Sequence, residues 1–346
     1  MSRVAVVFTG GTISMRTDAA AGGRVPTLDG AAILALVPGL DAIAEVVPID
    51  RGLTPASHFT FPALLDLAAA VRAALDNPEV DGAVVVQGTD TIEETSFLLD
   101  LVLDTPKPVV VTGAMRAASD DGYDGPANLR DAVRCAASPD LRGQGVVVVL
   151  ASTIEAADDV TKTHASALDT FRSLNLGSLG RVEGDQVVVL RRRVGRRRVS
   201  TERAAERVHL ITAHVAMDGS LVDAALAAGA DGFVIEATGS GNTSALLLAA
   251  CERAMAAGLP VVLTTRCPAG QAGTGYAFPG GGATWVRAGA LLAGYLGGPK
   301  ARVALALGIG AGLDRDGLAR LLADPDPGPV PDTDPGRDPD PVPVVE

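Results

Sequence analysis

Aromatic side chains are scarce, at 3% of the sequence with one tryptophan and three tyrosines. A core without large rings must be filled by Ala, Val and Leu, and the 47% hydrophobic content is mostly of that kind. This suits compact α/β packing, in which buried parallel strands read as valine-rich runs. Cysteine is scarce too. Cys135, Cys251 and Cys267 are far apart, odd in number and without metal or redox spacing, so they are expected to be reduced and mostly buried. Basic residues are outnumbered, 29 against 41 acidic, for a formal charge of −12. That argues against a general nucleic-acid binder, which needs a basic face. No apolar window is long enough to span a membrane, and the opening MSRVAVVF lacks a signal-peptide layout. The expectation is a soluble, cytoplasmic protein with neither nucleic acid nor membrane as a partner.

What the chain does contain is a repeating alternation. A length of 346 residues exceeds one ordinary core and suggests two domains. Short β-branched runs (4–8, 82–86, 108–115, 145–152) alternate with Ala/Leu-rich helical stretches such as FPALLDLAAAVRAAL. Strand–loop–helix alternation predicts a mostly parallel sheet with helices on both faces. We therefore expect a larger N-terminal α/β domain over 1–190 and a smaller C-terminal α/β domain over 207–323, whose last helix spans about 283–296. Between them, 191–206 holds six arginines from Arg191 to Arg198. An anion or nucleic-acid site and a solvated, charge-blunted hairpin edge leading into a linker both fit; the second is the expectation. The Pro/Asp-rich segment 324–346 has too few apolar residues to offset the entropy of ordering and is expected to be disordered.

The first run ends in VVFTGGTIS, two glycines between Thr9 and Thr12. A phosphate cradle fails on spacing: neither G-x-x-x-x-G-K-[ST] nor G-x-G-x-x-G occurs there, nor in GQAGTG (270–275) or LGIGAG (307–312). Cofactor binding is therefore not expected. At the carboxyl end of a strand, however, glycines let the backbone approach a ligand and turn amide groups toward it. A second loop of the same design, QGTDTIEET, follows the run at 82–86. Asp90 or Thr91 could simply cap a helix there. A third stretch, DVTKTHASALDTF, carries Lys162 among hydroxyls and acids. A lysine beside a threonine and an aspartate can relay a proton from a weak hydroxyl nucleophile.

Together these segments resemble the bacterial-type L-asparaginase/glutaminase family over nearly the whole chain to about residue 323. TGGTIS matches the first signature and places its nucleophile at Thr12. GTDT matches the second and places the threonine–aspartate pair at Thr89 and Asp90, and TKTH places the lysine at Lys162. GAMR (113–116), DGPANL (124–129) and GSGN (239–242) match in family order. The resemblance implies a two-domain α/β fold, homodimers or homotetramers, and hydrolysis of the asparagine side-chain amide without metal or cofactor. It also implies substrate contacts from Gly11, Ser57, His58, Gly88, Thr89, Asp90 and Ala114, with Asn242 supplied by a partner subunit.

The chain departs from the family in two places. Gln87 stands where a histidine usually precedes GTDT. No tyrosine lies between Thr12 and Asp50, where many members carry one in a mobile loop. Tyr276 is the candidate to replace it across a subunit interface, and the Ala/Gly-rich loop after Thr12 suits a lid. The expected chemistry is attack by Thr12 on the amide carbon, a β-aspartyl ester and its hydrolysis by water. Thr89 and Lys162 relay the proton, Asp90 orients Lys162 and grips the substrate amine, and backbone amides of the glycine loops hold the oxyanion. Direct attack by Thr89 remains a second assignment. An amidotransferase subunit releasing ammonia to a synthetase, and a non-catalytic amino-acid sensor, are the alternative functions.

Overall fold

A computed structural model describes residues 1–325 of the chain. Its first strand, β1 (Arg3–Phe8), is the initial valine-rich run and is buried from Val4 onward. An antiparallel hairpin follows, β2 (Met15–Asp18) and β3 (Gly23–Pro26), and then α1 (Gly30–Ala35), whose first turn is capped by the Asp29 carboxylate on the Ala32 amide. The alternation continues through β4 (Glu45–Asp50), α2 (Phe61–Asp76), β5 (Gly82–Val86), α3 (Ile92–Val102), β6 (Val109–Thr112), α4 (Gly125–Ala137) and β7 (Val146–Leu150). Next come β8 (Thr153–Ala156), a separate ribbon of β9 (Val160–Lys162) and β10 (Phe171–Ser173), and the hairpin β11 (Gly180–Glu183) and β12 (Gln186–Val189).

The large sheet has the order β12-β11-β8-β7-β6-β5-β1-β4. From β4 to β7 it is parallel, and β8, β11 and β12 extend it antiparallel. Because β1 connects toward β4 while β5 connects toward β6, their loops leave the sheet in opposite directions. That opens a crevice at the carboxyl ends of β1 and β5, the topological switch point where open α/β sheets bind ligands. Both faces are covered. Val4, Val6 and Phe8 pack toward Ile33 of α1 and Leu129 of α4, whereas Ala5 and Val7 pack toward α2 and α3.

The smaller domain is a parallel sheet of β13 (Val208–Thr212), β14 (Gly232–Ala237), β15 (Val261–Thr265) and β16 (Leu291–Leu292). Its helices are α5 (Ser220–Ala227), α6 (Ala245–Ala256), α7 (Gly282–Ala288), α8 (Gly298–Gly310) and α9 (Arg315–Leu322). The core between α2, α3 and the large sheet continues through α8 and α9 to Val208, Val234 and Val262 of the small sheet. One apolar core thus joins the domains, and α8 lies against α3 at its centre. No helix among the described residues is long and apolar enough to cross a membrane.

Two expectations need correction. The helix expected over 283–296 ends at Ala288, where Gly289 takes φ +113°, and two further helices follow. Glycines hid α8. A Cβ on Gly308 would lie 2.5 Å from Leu318, and one on Gly310 would lie 2.1 Å from the Arg203 carbonyl oxygen, so their absence of side chain serves close packing. The arginine segment is neither a strand nor solvated as a whole. The side chains of Arg193, Arg196 and Arg197 are 4%, 6% and 5% exposed and pair with Asp100, Asp158 and Asp324. Charges turn inward there because carboxylates wait for them. The Ala/Gly-rich stretch after Thr12 is the β2–β3 hairpin, docked on the 117–120 loop by Thr17 on Ser119 and by the Ala118 amide on the Met15 carbonyl. The tail expected to be disordered lies outside the described residues except for Asp324 and Pro325.

Candidate active site

Gly10 and Gly11 leave β1 with φ of +103° and +97°, values that side chains resist. At Gly11 the reason is contact. A Cβ there would fall 2.1 Å from the Gly88 nitrogen and 2.3 Å from its Cα. The two glycine loops therefore meet backbone to backbone, and Thr12 and Thr89 leave from either side of that contact. Thr12 opens a single 3-10 turn, Thr12–Ser14, closed by the Ser14 hydroxyl on the Gly11 carbonyl at 2.7 Å. The Tyr123 hydroxyl donates to the Ile13 carbonyl at 2.7 Å and props this turn from the α4 side. Burial, with the Asp124 charge beside it, pushes the Tyr123 phenol well above its ordinary pKa, so it stays protonated and donates.

Across the contact, Thr89–Thr91 forms a second 3-10 turn between β5 and α3. It is not a side-chain cap: neither Asp90 nor Thr91 accepts an amide of α3, and the Thr91 hydroxyl instead donates to the Ala56 carbonyl at 3.2 Å. Thr89 is buried, at 5% exposure. Lys162, from the β9 ribbon, places its Nζ 2.9 Å from Thr89 Oγ1 and 2.9 Å from Asp90 Oδ1. The lysine side chain is 14% exposed and that of Asp90 is 71% exposed, so the aspartate borders solvent while the hydroxyl is enclosed.

The remaining candidates divide into two groups. Ser57 and His58 are exposed on the 3-10 turn Ala56–His58, whose buried Ala56 methyl meets Gly88, which places them beside the Thr89 turn. Ala114 is fully buried next to Gly113, whose own close neighbours are the Gln87 carbonyl and the Thr89 methyl. Its loop is pinned by two residues of the DGPANL segment: the Asp124 carboxylate accepts the Met115 and Arg116 amides, and Asn128 Nδ2 donates to the Gly113 carbonyl at 3.0 Å. Gln87 is buried and donates to the Gly88 carbonyl at 3.3 Å. Asn242 and Tyr276 belong to the other group. They sit on C-terminal-domain loops, and no hydrogen bond among the described residues joins either to Thr12, Thr89, Asp90 or Lys162.

Sequence reasoning missed Tyr123 as a support of the Thr12 turn. Tyr123 comes from 110 residues away, neither from the segment after Thr12 nor from the Tyr276 position. It acts on the backbone next to Thr12 rather than on the threonine hydroxyl. The site holds an exposed carboxylate, an amine and the Thr89 hydroxyl in contact at a strand-end crevice, with Thr12 on the adjoining glycine loop, a set suited to acyl transfer. Among the described residues no group of three His, Cys, Asp or Glu side chains could hold a metal ion.

The chain is similar in sequence and in fold to known asparaginases. The family model for the asparaginase N-terminal domain matches residues 3–195, and that for the glutaminase/asparaginase C-terminal domain matches residues 207–322. An L-asparaginase of Bacillus licheniformis is 34% identical over 308 residues, covering 88% of this chain and 94% of its own. A probable L-asparaginase of Deinococcus radiodurans is 37% identical over 333 residues, covering 93% of this chain and 97% of its own. The crystal structure of a probable cytoplasmic L-asparaginase from Campylobacter jejuni superposes with a TM-score of 0.85 at 26% identity, over 93% of this chain and 99% of that one.

Proposed function

The chain belongs to the asparaginase family, and from that premise we propose that it is an L-asparagine amidohydrolase, releasing ammonia and leaving L-aspartate. The observation that carries the reading is Lys162 Nζ at 2.9 Å from both Thr89 Oγ1 and Asp90 Oδ1, beside the Gly11–Gly88 contact that brings in Thr12. An amide is a poor electrophile and a threonine hydroxyl a weak acid, so the reaction needs a base and an oxyanion site.

In this reading Thr12 Oγ attacks the side-chain amide carbon and gives up its proton to the Thr89–Lys162 relay. The C–N bond breaks as the nitrogen takes a proton and leaves as ammonia. A β-aspartyl ester remains on Thr12. Water, deprotonated by the same relay, cleaves the ester and restores the hydroxyl. Asp90 engages Lys162 through Oδ1, which leaves Oδ2 for the substrate α-amine. Ser57 and His58 take the α-carboxylate, and the backbone at Gly11, Gly88 and Ala114 frames the reacting amide. A coupled ammonia assay tests this with asparagine, glutamine and D-asparagine. L-Asparagine should be turned over best; no ammonia from it would end the proposal.

The working unit we propose is a homodimer or homotetramer in which a partner copy brings Asn242 and Tyr276 to the site. Tyr276 and Phe278 support this: they are 49% and 48% exposed, with rings 5.9 Å apart, an aromatic pair left uncovered in one chain. Light scattering should give a multiple of the monomer mass, and Tyr276→Asp should shift it toward monomer with loss of activity. A monomeric, fully active wild type would sink this assembly. The enzyme is assigned to the cytoplasm, in keeping with its three unpaired cysteines, and cell fractionation should find it with soluble cytoplasmic markers.

A further inference from the structure

Lys300 is a lysine in the core. It is 4% exposed, in the first turn of α8, and so belongs to the C-terminal domain. A cation at a helix N-terminus opposes the helix dipole, and an interior lysine loses its hydration. A methionine would fill the same space without either cost, so the ammonium must serve something else.

What it touches is the support of the candidate active site. Lys300 Nζ donates to the Val160 carbonyl and lies 3.6 Å from Glu93 Oε2. The Thr161 hydroxyl donates to that same Glu93 oxygen. Val160 and Thr161 are the two residues before Lys162 on β9, and Glu93 is in the first turn of α3, three residues after Asp90. Among the described residues β9 pairs only with β10, and a two-stranded ribbon outside the main sheets depends on its neighbours for its position. The ammonium and the Glu93 carboxylate therefore add a polar link between the strand bearing Lys162 and the helix that follows Thr89 and Asp90, beside the apolar packing of Val160 in the core. Next to it Arg302 Nη1 approaches Glu94 at 3.9 Å, so α8 addresses both glutamates that follow GTDT.

We infer that Lys300 is a positioning residue: from the C-terminal domain it joins the Val160 carbonyl to Glu93 and so sets the distance between Lys162 and the Thr89–Asp90 pair. Its kinetic readout rests on the proposed amidohydrolase reading; its structural readout, the Lys162–Thr89 distance, does not.

Lys300→Met keeps nearly the side-chain volume and removes the charge. The expected result is a fall in kcat of about a hundredfold with KM for asparagine changed by less than about threefold, because the chemistry rather than binding is misaligned. Since this variant also leaves Glu93 without its cation, Lys300→Met/Glu93→Gln is made in parallel. The double variant should regain thermal stability, as no lone carboxylate remains, yet keep the low kcat. A merely structural lysine would instead give normal kcat per folded enzyme in the single variant, or recovery of kcat together with Tm in the double; either result overturns the inference. A crystal structure of Lys300→Met separates this from the reading of function. There the Lys162 Nζ to Thr89 Oγ1 distance should lengthen beyond hydrogen-bond reach, and an unchanged 2.9 Å refutes the positioning role whatever the substrate. A wild type that leaves asparagine untouched refutes the amidohydrolase reading instead.

Discussion

Thr89→Val is expected to lower asparagine hydrolysis roughly ten-thousandfold while leaving the fold as stable as before. Valine keeps the methyl branch that packs against Gly113 and removes only the hydroxyl. With the hydroxyl goes the acceptor 2.9 Å from Lys162 Nζ, but the amine keeps its Asp90 partner at 2.9 Å, so no buried charge is orphaned. Thr12→Ala should be at least as inactive, for a different reason: the ester has nowhere to form. Because nucleophile and relay act as one unit, the double variant should be scarcely worse than either single one. Ammonia release at saturating asparagine measures the loss, and mass spectrometry of quenched enzyme identifies the acylated peptide. In the wild type the added mass should sit on Thr12. A Thr89→Val enzyme that retained more than about a tenth of its kcat would remove Thr89 from the relay. An adduct on another residue in Thr12→Ala would reassign the nucleophile, with Thr89 the first alternative.

How far such a site can be read in advance depends on the kind of constraint that fixes each residue. Gly11 and Gly88 were legible because a backbone contact of this closeness admits only glycine, and glycines after valine-rich strands stand out in a sequence. The strands themselves were legible because both faces of β5 and β7 are buried, which forces unbroken apolar runs. Lys162 could be singled out by its setting among hydroxyls, although only the fold brings it from β9 to β5. Residues that work through tertiary contact left no local mark. Tyr123 supports the Thr12 turn from a distant loop, and Lys300 lies in a helix whose glycines disguised it as loop. The arginine run misled because sequence gives charge but not the carboxylates facing it. Asp100 interrupts an apolar helical stretch, a lone charge that could have signalled an inward-pointing cation but was not read so.

That buried knot carries the largest stability effect expected in the molecule. The Asp100 carboxylate, 1% exposed on α3, accepts Arg193 in bidentate fashion at 3.1 and 2.8 Å and the Val146 amide at 2.8 Å, and is ion-paired with Arg196 at 2.8 Å. Arg193 reaches on to Asp158 at 2.8 Å, so the 191–206 segment is tied to both α3 and the loop after β8. Asp100→Asn keeps the shape and the acceptor for Val146 but leaves two guanidiniums facing a neutral amide. Breaking a buried pair in this way costs about 3–5 kcal/mol, and Tm should fall by roughly 5–10 °C. The pH dependence fixes the cause. Burial by itself disfavours the Asp100 carboxylate, but Arg193 and Arg196 outweigh it and hold its pKa below the ordinary 3.8. A carboxylate with a depressed folded pKa adds stability that is complete above its unfolded value and is lost as pH falls through the folded one. The Tm gap between wild type and Asp100→Asn should therefore be constant from neutral pH down to about 5 and close only below the ordinary carboxylate value. A gap that persists unchanged at the acid end would assign the loss to packing rather than charge, and no gap at neutral pH would mean that solvent already screens the pair. Asparagine turnover by the folded variant should stay near wild type, since Asp100 lies at the far end of α3 from Thr89 and Asp90, and the knot holds that helix without touching the reacting groups.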